Sequence, residues 1–341
     1  MTKIRVLYSS TNNPWFNLAI EDWIFRQLDP STHILYLWRN DPTVVIGQHQ
    51  NPWAECRLDK MEADNIYLAR RQSGGGAVFH DLGNTNFTFL SSKENYQQTT
   101  NFDIIINALK TLGLNAELSG RNDLTVDDKK ISGSAFKHTS KLSFHHGTLL
   151  VDADLTQLAN YLNPHPLKLE AKGIKSVRSR VANLSEFNAE INHQSICDAI
   201  TTAFCEHYQT TVEPELLDVE SLQKIEVLNA YYQKMSDSDW RFGKTPEFEH
   251  KIETRFAWGI VDINLNVKQG IINECVIFSD ALDIDFIDAL RELLSNSTYE
   301  IKAISKKLAT LSAEKPQFRE AIVDIEQWFK LESFFIRADL T

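Results

Sequence analysis

A chain of 341 residues that is 43% hydrophobic and 24% charged has the composition of an ordinary globular protein with room for two domains, and excludes the disordered and fibrous classes. Its net charge of −11 argues against general nucleic-acid binding, because a phosphate backbone would be repelled. No apolar run approaches the roughly 18 to 20 residues of a membrane span, and MTKIRVLYSS lacks the apolar core and cleavage site of a signal peptide, so a cytoplasmic protein with no membrane partner is expected.

The first half alternates β-rich runs with amphipathic patterns, which predicts a mixed sheet covered by helices. RVLYSS (5–10), HILYLWR (33–39), TVVIGQ (43–48) and IYLARR (66–71) read as strands. Helices are predicted over 13–28, 51–65 and 101–114, the first two opening with Asn-Pro, an N-cap followed by proline at the first helical position. The glycine-rich stretch after residue 71 then falls between strands. DLTVDDKKISGSAFK (123–137) predicts a hairpin turned at DDKK with Ile131 and Ala135 on one face, and LSFHHGTLLVD (142–152) predicts the next strand. Helices over 193–208 and 221–235 lead into a polar stretch, 236–250, that reads as a linker. Beyond it, ETRFAWG, VDINLNV and INECVIFSD predict a three-strand meander with a turn at Lys268, Gln269 and Gly270, followed by helices over 283–296 and 317–332. The expected fold class is α/β, or α+β: a large mixed-sheet domain over 1–245 and a small α+β domain over 246–341. Cys56, Cys197, Cys205 and Cys275 lie far apart without metal-binding spacing, which predicts free thiols.

The chemistry concentrates in RRQSGGGAVFHDLGN (70–84). Three successive glycines leave backbone N–H groups uncovered and two arginines supply planar donors, a combination that suits phosphate or carboxylate oxygens. A glycine turn beside a solvated arginine pair explains the same letters. The stretch matches neither GxGxxG nor Walker A, and the imitation of Walker A at FGKTPE (242–247) has no leading strand and runs straight into Pro246, so it reads as linker. In KISGSAFK, Lys130 either aims its ammonium at a neighbouring loop or stands exposed on the hairpin. Asp123 in RNDL either joins a metal–phosphate complex or caps a turn. His145 and His146 alternate across a strand, so at most one points into a given site. Trp15, Phe16, Trp38, Val44 and Ile46 offer a ligand lining or ordinary core. KLEAKGIKSVRSR (168–180) reverses the overall charge locally, with Lys168, Lys172, Lys175, Arg178 and Arg180 against Glu170 alone. The absence of GxSxG, and of a cysteine inside these motifs, weakens acyl-enzyme mechanisms.

Taken together, RRQSGGGAVFHDLGN, KISGSA, HHGTLL and KGIKSVRSRVANL, with NNPWFNLAIEDWIFRQ and LWRNDPTVVIGQHQNPW upstream, closely resemble the lipoate-protein ligase A family over nearly the whole chain. The resemblance implies a catalytic domain similar to biotin-protein ligases and class II aminoacyl-tRNA synthetase cores, with a small accessory domain after it. It also implies a two-step reaction. ATP, with Mg²⁺, activates lipoate as lipoyl-AMP with release of pyrophosphate. The lipoyl group then passes to the ε-amine of a lysine on an apo lipoyl domain, in E2 subunits of 2-oxoacid dehydrogenases or in the glycine cleavage H protein. The same matching assigns Arg71 and Lys130 to catalysis, and Arg71, Gly75, Gly76, Ala77, Val78, Phe79, Asp123 and Lys130 to ATP and the adenylate. Lys130, Trp38, Val45, His80 and Gly147 fall to lipoate, and Asp123 to Mg²⁺. The 168–180 run then fits docking of an acidic acceptor domain, and a monomer is expected. Gln72 departs from the family, which often has a small hydroxyl residue there. The alternatives are a lipoyl or octanoyl transferase that takes pre-made acyl-AMP or a thioester, and a non-catalytic ligand sensor on the same fold.

Overall fold

Asn13 caps the first helix, Pro14–Gln27, by accepting from the N–H groups of Trp15 and Phe16, while Pro14 sits at the first turn, where its missing N–H costs nothing. The structure, a computed structural model, describes residues 3–163, 181–220, 224–243 and 250–331. The chain divides into two units: Met1–Gly47, Pro52–Ser73 and Ala77–Gly243 form one, and Gln48–Asn51, Gly74–Gly76 and Lys244–Thr341 the other.

The strands of the first unit are β1 (Lys3–Ser9), β2 (Thr32–Trp38), β3 (Thr43–Ile46), β4 (Tyr67–Arg70), β5 (Val78–His80), β6 (Asn84–Ser92), β7 (Glu117–Ser119), β8 (Asp123–Val126), β9 (Lys129–His138), β10 (Leu142–Leu150) and β11 (Glu215–Leu217). Eight of them form one mixed sheet in the order β11-β1-β2-β6-β10-β9-β8-β7, parallel among β11, β1 and β2 and antiparallel from β2 onward. Every residue of β6 is buried, as expected of a strand covered on both faces. β3 lies between β4, to which it is parallel, and β5, to which it is antiparallel, in a separate three-stranded sheet.

The pleat sorts side chains onto two faces of the large sheet. Phe87, Phe89 and Leu149 share one apolar cluster with Phe102 and Ile105 of helix Gln98–Thr111 and with Ile200 and Phe204 of helix His193–His207. Tyr36, Trp38, Leu90 and Phe144 cluster instead with Phe16, Ile20 and Ile24 of the first helix. Register places Tyr36 opposite Thr88 and Thr88 opposite His146, so His146 belongs to this second face.

The predicted hairpin closes through Asp127 and Asp128, both at positive φ (49° and 59°), as a two-residue turn between right-twisted strands requires. Its pairing slips once: Thr125 faces Lys130 but Leu124 faces Ser132, which leaves Ile131 as an extra residue. A bulge of this kind reverses the alternation beyond it. Ile131 therefore packs in the cluster of Leu124 and Leu149, whereas Ala135 lies opposite His146, and the single shared face expected for the pair does not hold.

Local differences from expectation have local causes. The helix predicted over 51–65 is two short ones, Pro52–Glu55 and Leu58–Ala63. The stretch read as linker holds a helix, Ser238–Phe242, whose N–H groups at Asp239 and Trp240 are capped by Asp237. The second unit is a meander of β12 (His250–Phe256), β13 (Gly259–Lys268) and β14 (Ile271–Ser279), turned at Gln269 and Gly270, both at positive φ. Helices Ile284–Leu294, Ile301–Glu314 and Arg319–Leu331 contribute Phe286, Leu290, Ile304, Trp328 and Phe329 to its own core. Ile301–Glu314 buries only Ile304 and Leu308, too faint a stripe to read in sequence. All four cysteines are free thiols.

Candidate active site

The two arginines that open the glycine-rich stretch part company. Arg70 Nε and Nη2 donate to the carbonyls of Trp240 (2.8 Å) and Arg241 (2.9 Å), and Trp240 Nε1 donates back to Arg70 O at 3.0 Å. A guanidinium suits the unpaired carbonyls at a helix C-terminus, so Arg70 is a structural clamp on Ser238–Phe242. Arg71 donates from Nη1 to Val45 O and from Nε to Ser73 Oγ, both at 3.1 Å. Burial is the main force working against its charge, yet a guanidinium stays protonated in proteins.

From Ser73 a buried chain of hydrogen bonds crosses to the first helix. Ser73 Oγ lies 2.7 Å from His146 Nε2, and His146 Nδ1 lies 2.9 Å from Glu21 Oε1. Glu21 Oε1 also accepts from Thr88 Oγ1 at 2.7 Å, and Thr88 Oγ1 accepts from Trp38 Nε1 at 3.1 Å. Groups that can only donate or only accept fix the directions. Glu21 can only accept, so His146 donates to it from Nδ1; Arg71 can only donate, so Ser73 Oγ accepts from Arg71 while its other contact is His146 Nε2. The relay thus holds the Arg71 guanidinium at Nε, while the Val45 carbonyl holds it at Nη1.

His80 stands nearby at the end of β5. It is 3% exposed, its Nδ1 is 3.1 Å from Asn40 Nδ2, and its ring centroid is 6.2 Å from that of Trp38. Burial first, then the charges of Arg71 and His146, pushes its pKa down to about 3, so it is neutral at physiological pH.

Lys130 reaches the same sheet face because of the bulge. Regular alternation would send it with Ser132 towards the helix-covered core; the extra Ile131 turns it towards Asp123, whose Oδ1 lies 2.8 Å from Nζ. Asp123 pairs with Gly133 and Gly133 with Thr148, which puts this ion pair on the face of Thr148 and His146. A Cβ at Gly133 would come 3.3 Å from Nζ, so glycine makes room for the ammonium. Both side chains are about one-third exposed. Among the described residues no three His, Cys, Asp or Glu side chains gather as a metal cluster. Asp123 is a lone carboxylate, a donor set that fits Mg²⁺ carried largely by phosphate oxygens and not a resident metal.

The other expected residues divide. Trp38, Val45 and Val78 share a cluster with Phe16 and Ala69, while Val44, Ile46, Ala77 and Phe79 pack on the other side with Tyr161. Trp15 packs against the first of these clusters, its indole donates to Leu68 O at 2.9 Å, and it lies under Arg241. Gly147 is not brought into the group. A Cβ there would come 2.4 Å from Phe87, so close packing on the helix-covered face accounts for it. Gly75 and Gly76 belong to the second unit. Within that unit a Cβ on Gly74 would sit 2.2 Å from the Ala281 carbonyl oxygen, and Gly75, at φ 90°, donates to that oxygen at 3.0 Å. Two of the three glycines thus answer to backbone packing, while at Gly76 a Cβ would meet nothing within 4 Å. Gln72 accepts a hydrogen bond from Lys137, whose pKa burial lowers. The basic run 168–180 lies outside the described residues.

Sequence reasoning missed Asn17, Glu21, Asn40, Ser73 and Thr88. One signal was available: Asn17 and Glu21 are polar residues four apart on the face of the first helix that also carries Ile20 and Ile24, and both are buried.

Comparison with known proteins identifies the family. Residues 13–205 match the lipoyl protein ligase A/B catalytic domain family, and residues 245–329 match the bacterial lipoate protein ligase C-terminus family. The chain is 62% identical over 331 residues to lipoate-protein ligase A of Psychrobacter cryohalolentis, covering 96% of this chain and 98% of that one. Among solved structures, P. falciparum LipL1 in complex with lipoate has a TM-score of 0.87 at 34% identity, covering 96% of this chain and 100% of the other. A bipartite lipoate protein ligase of Thermoplasma acidophilum, described with its E2 lipoyl domain, gives 0.61 at 28% identity, over 73% and 100%. A lipoate-protein ligase A bound with ATP gives 0.59 at 28% identity, over 71% and 99%.

Proposed function

This chain belongs to the lipoate-protein ligase A family, and we propose that it joins lipoate to ATP as lipoyl-AMP and transfers the lipoyl group to a lysine of a lipoyl domain. The observation that carries this reading is one sheet face that holds two cations of different kinds: Arg71, fixed through Ser73, His146 and Glu21, and Lys130, turned there by a bulge. Relatives described with lipoate, with ATP and with an E2 lipoyl domain support the same ligands here.

The first half-reaction needs both cations. A lipoate carboxylate oxygen attacks the α-phosphorus and pyrophosphate leaves, so two anions must approach; positive charge at Arg71 and Lys130 lowers that repulsion and stabilises the charge that builds on the phosphoryl oxygens. Asp123 holds the Lys130 ammonium in place and, with the nucleotide bound, would be the residue to hold Mg²⁺, which supplies further charge neutralisation. Ala77, Val78 and Phe79 supply backbone beside Arg71 to the adenylate, with Gly75 and Gly76 preceding them. In the second half-reaction the acceptor amine attacks the acyl carbonyl and AMP leaves, with Lys130 serving as a fixed cation and not as a nucleophile. Trp38, Val45 and Val78 offer the apolar wall that a dithiolane tail needs. Residues 1–245 as catalytic domain and 246–341 as accessory domain, E2 subunits and the glycine cleavage H protein as acceptors, and a monomeric cytoplasmic enzyme complete the proposal.

Lipoate-dependent ATP–pyrophosphate exchange followed by transfer to an apo lipoyl domain tests it. A ligase does both; a transferase performs only the second, when given acyl-AMP; a ligand sensor performs neither.

A further inference from the structure

Register puts Asn86 of β6 in one row with Thr148, Gly133 and Asp123, and so with Lys130. The other end of β6 borders a cavity of about 240 Å³ within the first unit. Ile34, Phe89, Leu90 and Phe204 give that cavity an apolar side, and the start of helix Gln98–Thr111 gives it a polar one. The helix begins without a side-chain cap. Gln97 holds the capping position, but its Oε1 accepts from Thr100 Oγ1 at 3.1 Å and from no backbone N–H. The first intrahelical bond runs from Asn101 N–H to Gln97 O at 3.2 Å, so the N–H groups of Gln98, Thr99 and Thr100 have no acceptor among the described residues. Fourteen aligned peptide units concentrate partial positive charge at this end.

A second observation points to a ligand. Asn101 is 7% exposed and lines the cavity, yet its side-chain amide has no hydrogen-bond partner among the described residues. It stands four residues after Gln97, on the same helix face, and helical side chains tilt back towards the N-terminus, so the amide is aimed at the uncapped end. A buried amide left incomplete costs free energy, and its persistence calls for an atom that completes it. On another wall His33 Nδ1 lies 2.9 Å from Tyr208 Oη, while His33 Nε2 has no partner among the described residues. Burial first, then His207, lowers the His33 pKa, so the attraction for an anion comes from N–H dipoles and not from a full positive charge. Glu94 lines the same cavity and adds a negative charge, which disfavours a dianion.

We infer that this cavity is a second ligand site, separate from Arg71 and Lys130, for a small monocarboxylate whose oxygens accept from the first-turn N–H groups of helix Gln98–Thr111 and from the Asn101 amide. The short apolar chain of such a ligand lies against Phe89 and Phe204. Each half of the molecule then meets a surface of its own kind: the carboxylate meets backbone and amide donors that otherwise lack acceptors, and the chain meets aromatic side chains that are already dry.

Butyrate is the probe, with butyramide as its uncharged isostere and inorganic phosphate as the competing anion. In amide-resolved NMR spectra of the full chain, butyrate should shift the N–H signals of Gln98, Thr99, Thr100 and Asn101 saturably, and butyramide should leave them in place. Asn101→Leu should weaken butyrate binding by about tenfold. Gln97 is exposed, and Gln97→Asp supplies a carboxylate cap from the chain itself, so this variant should fold and weaken butyrate binding by a similar factor even if N101L does not fold. Absence of saturable shifts at residues 98–101, equal shifts with butyramide, tighter binding of phosphate than of butyrate, or wild-type affinity in Q97D would each overturn the inference. Shifts confined to residues around Arg71 and Lys130 would overturn it as well, while leaving the ligase reading intact.

Discussion

His145 and His146 are adjacent on β10, and the pleat sends them into two different surroundings. His145 is fully buried, with ring centroids 4.7 Å from Phe136 and 4.8 Å from Phe102, and neither of its ring nitrogens has a hydrogen-bond partner among the described residues. Desolvation holds its pKa well below the ordinary histidine value. His146, nearly as buried, has both nitrogens occupied, one by Ser73 and one by Glu21. Both faces of the large sheet carry apolar packing, but a shift of one residue along a strand decides whether an imidazole sits among aromatic rings or in a hydrogen-bonded relay.

Removing each histidine tests that separation, and the largest effect belongs to His146. His146→Ala leaves Glu21 with Thr88 and Ser73 without its imidazole partner, which costs about 2–3 kcal/mol of stability. It also loosens the Ser73 hydroxyl that holds Arg71 at Nε, so exchange activity should fall by about a hundredfold, the scale of a misplacement of roughly 1 Å. Denaturant unfolding and exchange kinetics on the same preparation would show both losses; a stability loss with unaltered kinetics would place the relay outside the site.

His145→Leu should do the opposite. It removes two unpartnered nitrogens from an aromatic core, so stability rises by about 1–2 kcal/mol and activity stays within about twofold. The smallest effect is on pH dependence. His145, and His80 with a pKa of about 3, are neutral when folded, whereas in the unfolded chain they take up protons below about pH 6.5. The unfolded state therefore binds more protons, and wild-type stability falls as pH drops from about 6.5 towards 3. H145L should flatten that slope between pH 6 and 5 by about 1 kcal/mol per unit; an unchanged slope would mean that His145 is already protonated in the folded protein.

What could be read beforehand follows from what is local. The Asn-Pro helix start, the hairpin at Asp127 and Asp128 and the meander after residue 250 are each specified by neighbouring residues, and each is present. Alternation along a strand is also local, and His145 and His146 do take opposite faces. The relay was not legible, because Glu21, Ser73, Thr88 and His146 are brought together only by the pairing of β2, β6 and β10 and the helix laid against them. Lys130 was legible as a residue but not as a direction: hydrophobic period does not reveal the one-residue bulge that turns it. The glycines were misjudged in the opposite sense. Three in a row suggested an anion cradle, yet Gly74 and Gly75 are explained by the Ala281 carbonyl within the second unit.

The most direct measurement is lipoate-dependent ATP–pyrophosphate exchange by Lys130→Ala, with transfer from supplied lipoyl-AMP to an apo lipoyl domain measured alongside. If the bulge places Lys130 to stabilise charge at the α-phosphate, exchange falls by about two to three orders of magnitude while transfer from the pre-made adenylate is affected far less. Near-normal exchange by the variant would contradict the account, since it would leave the Lys130–Asp123 pair as an ordinary ion pair on a hairpin and Arg71 without its partner in adenylation.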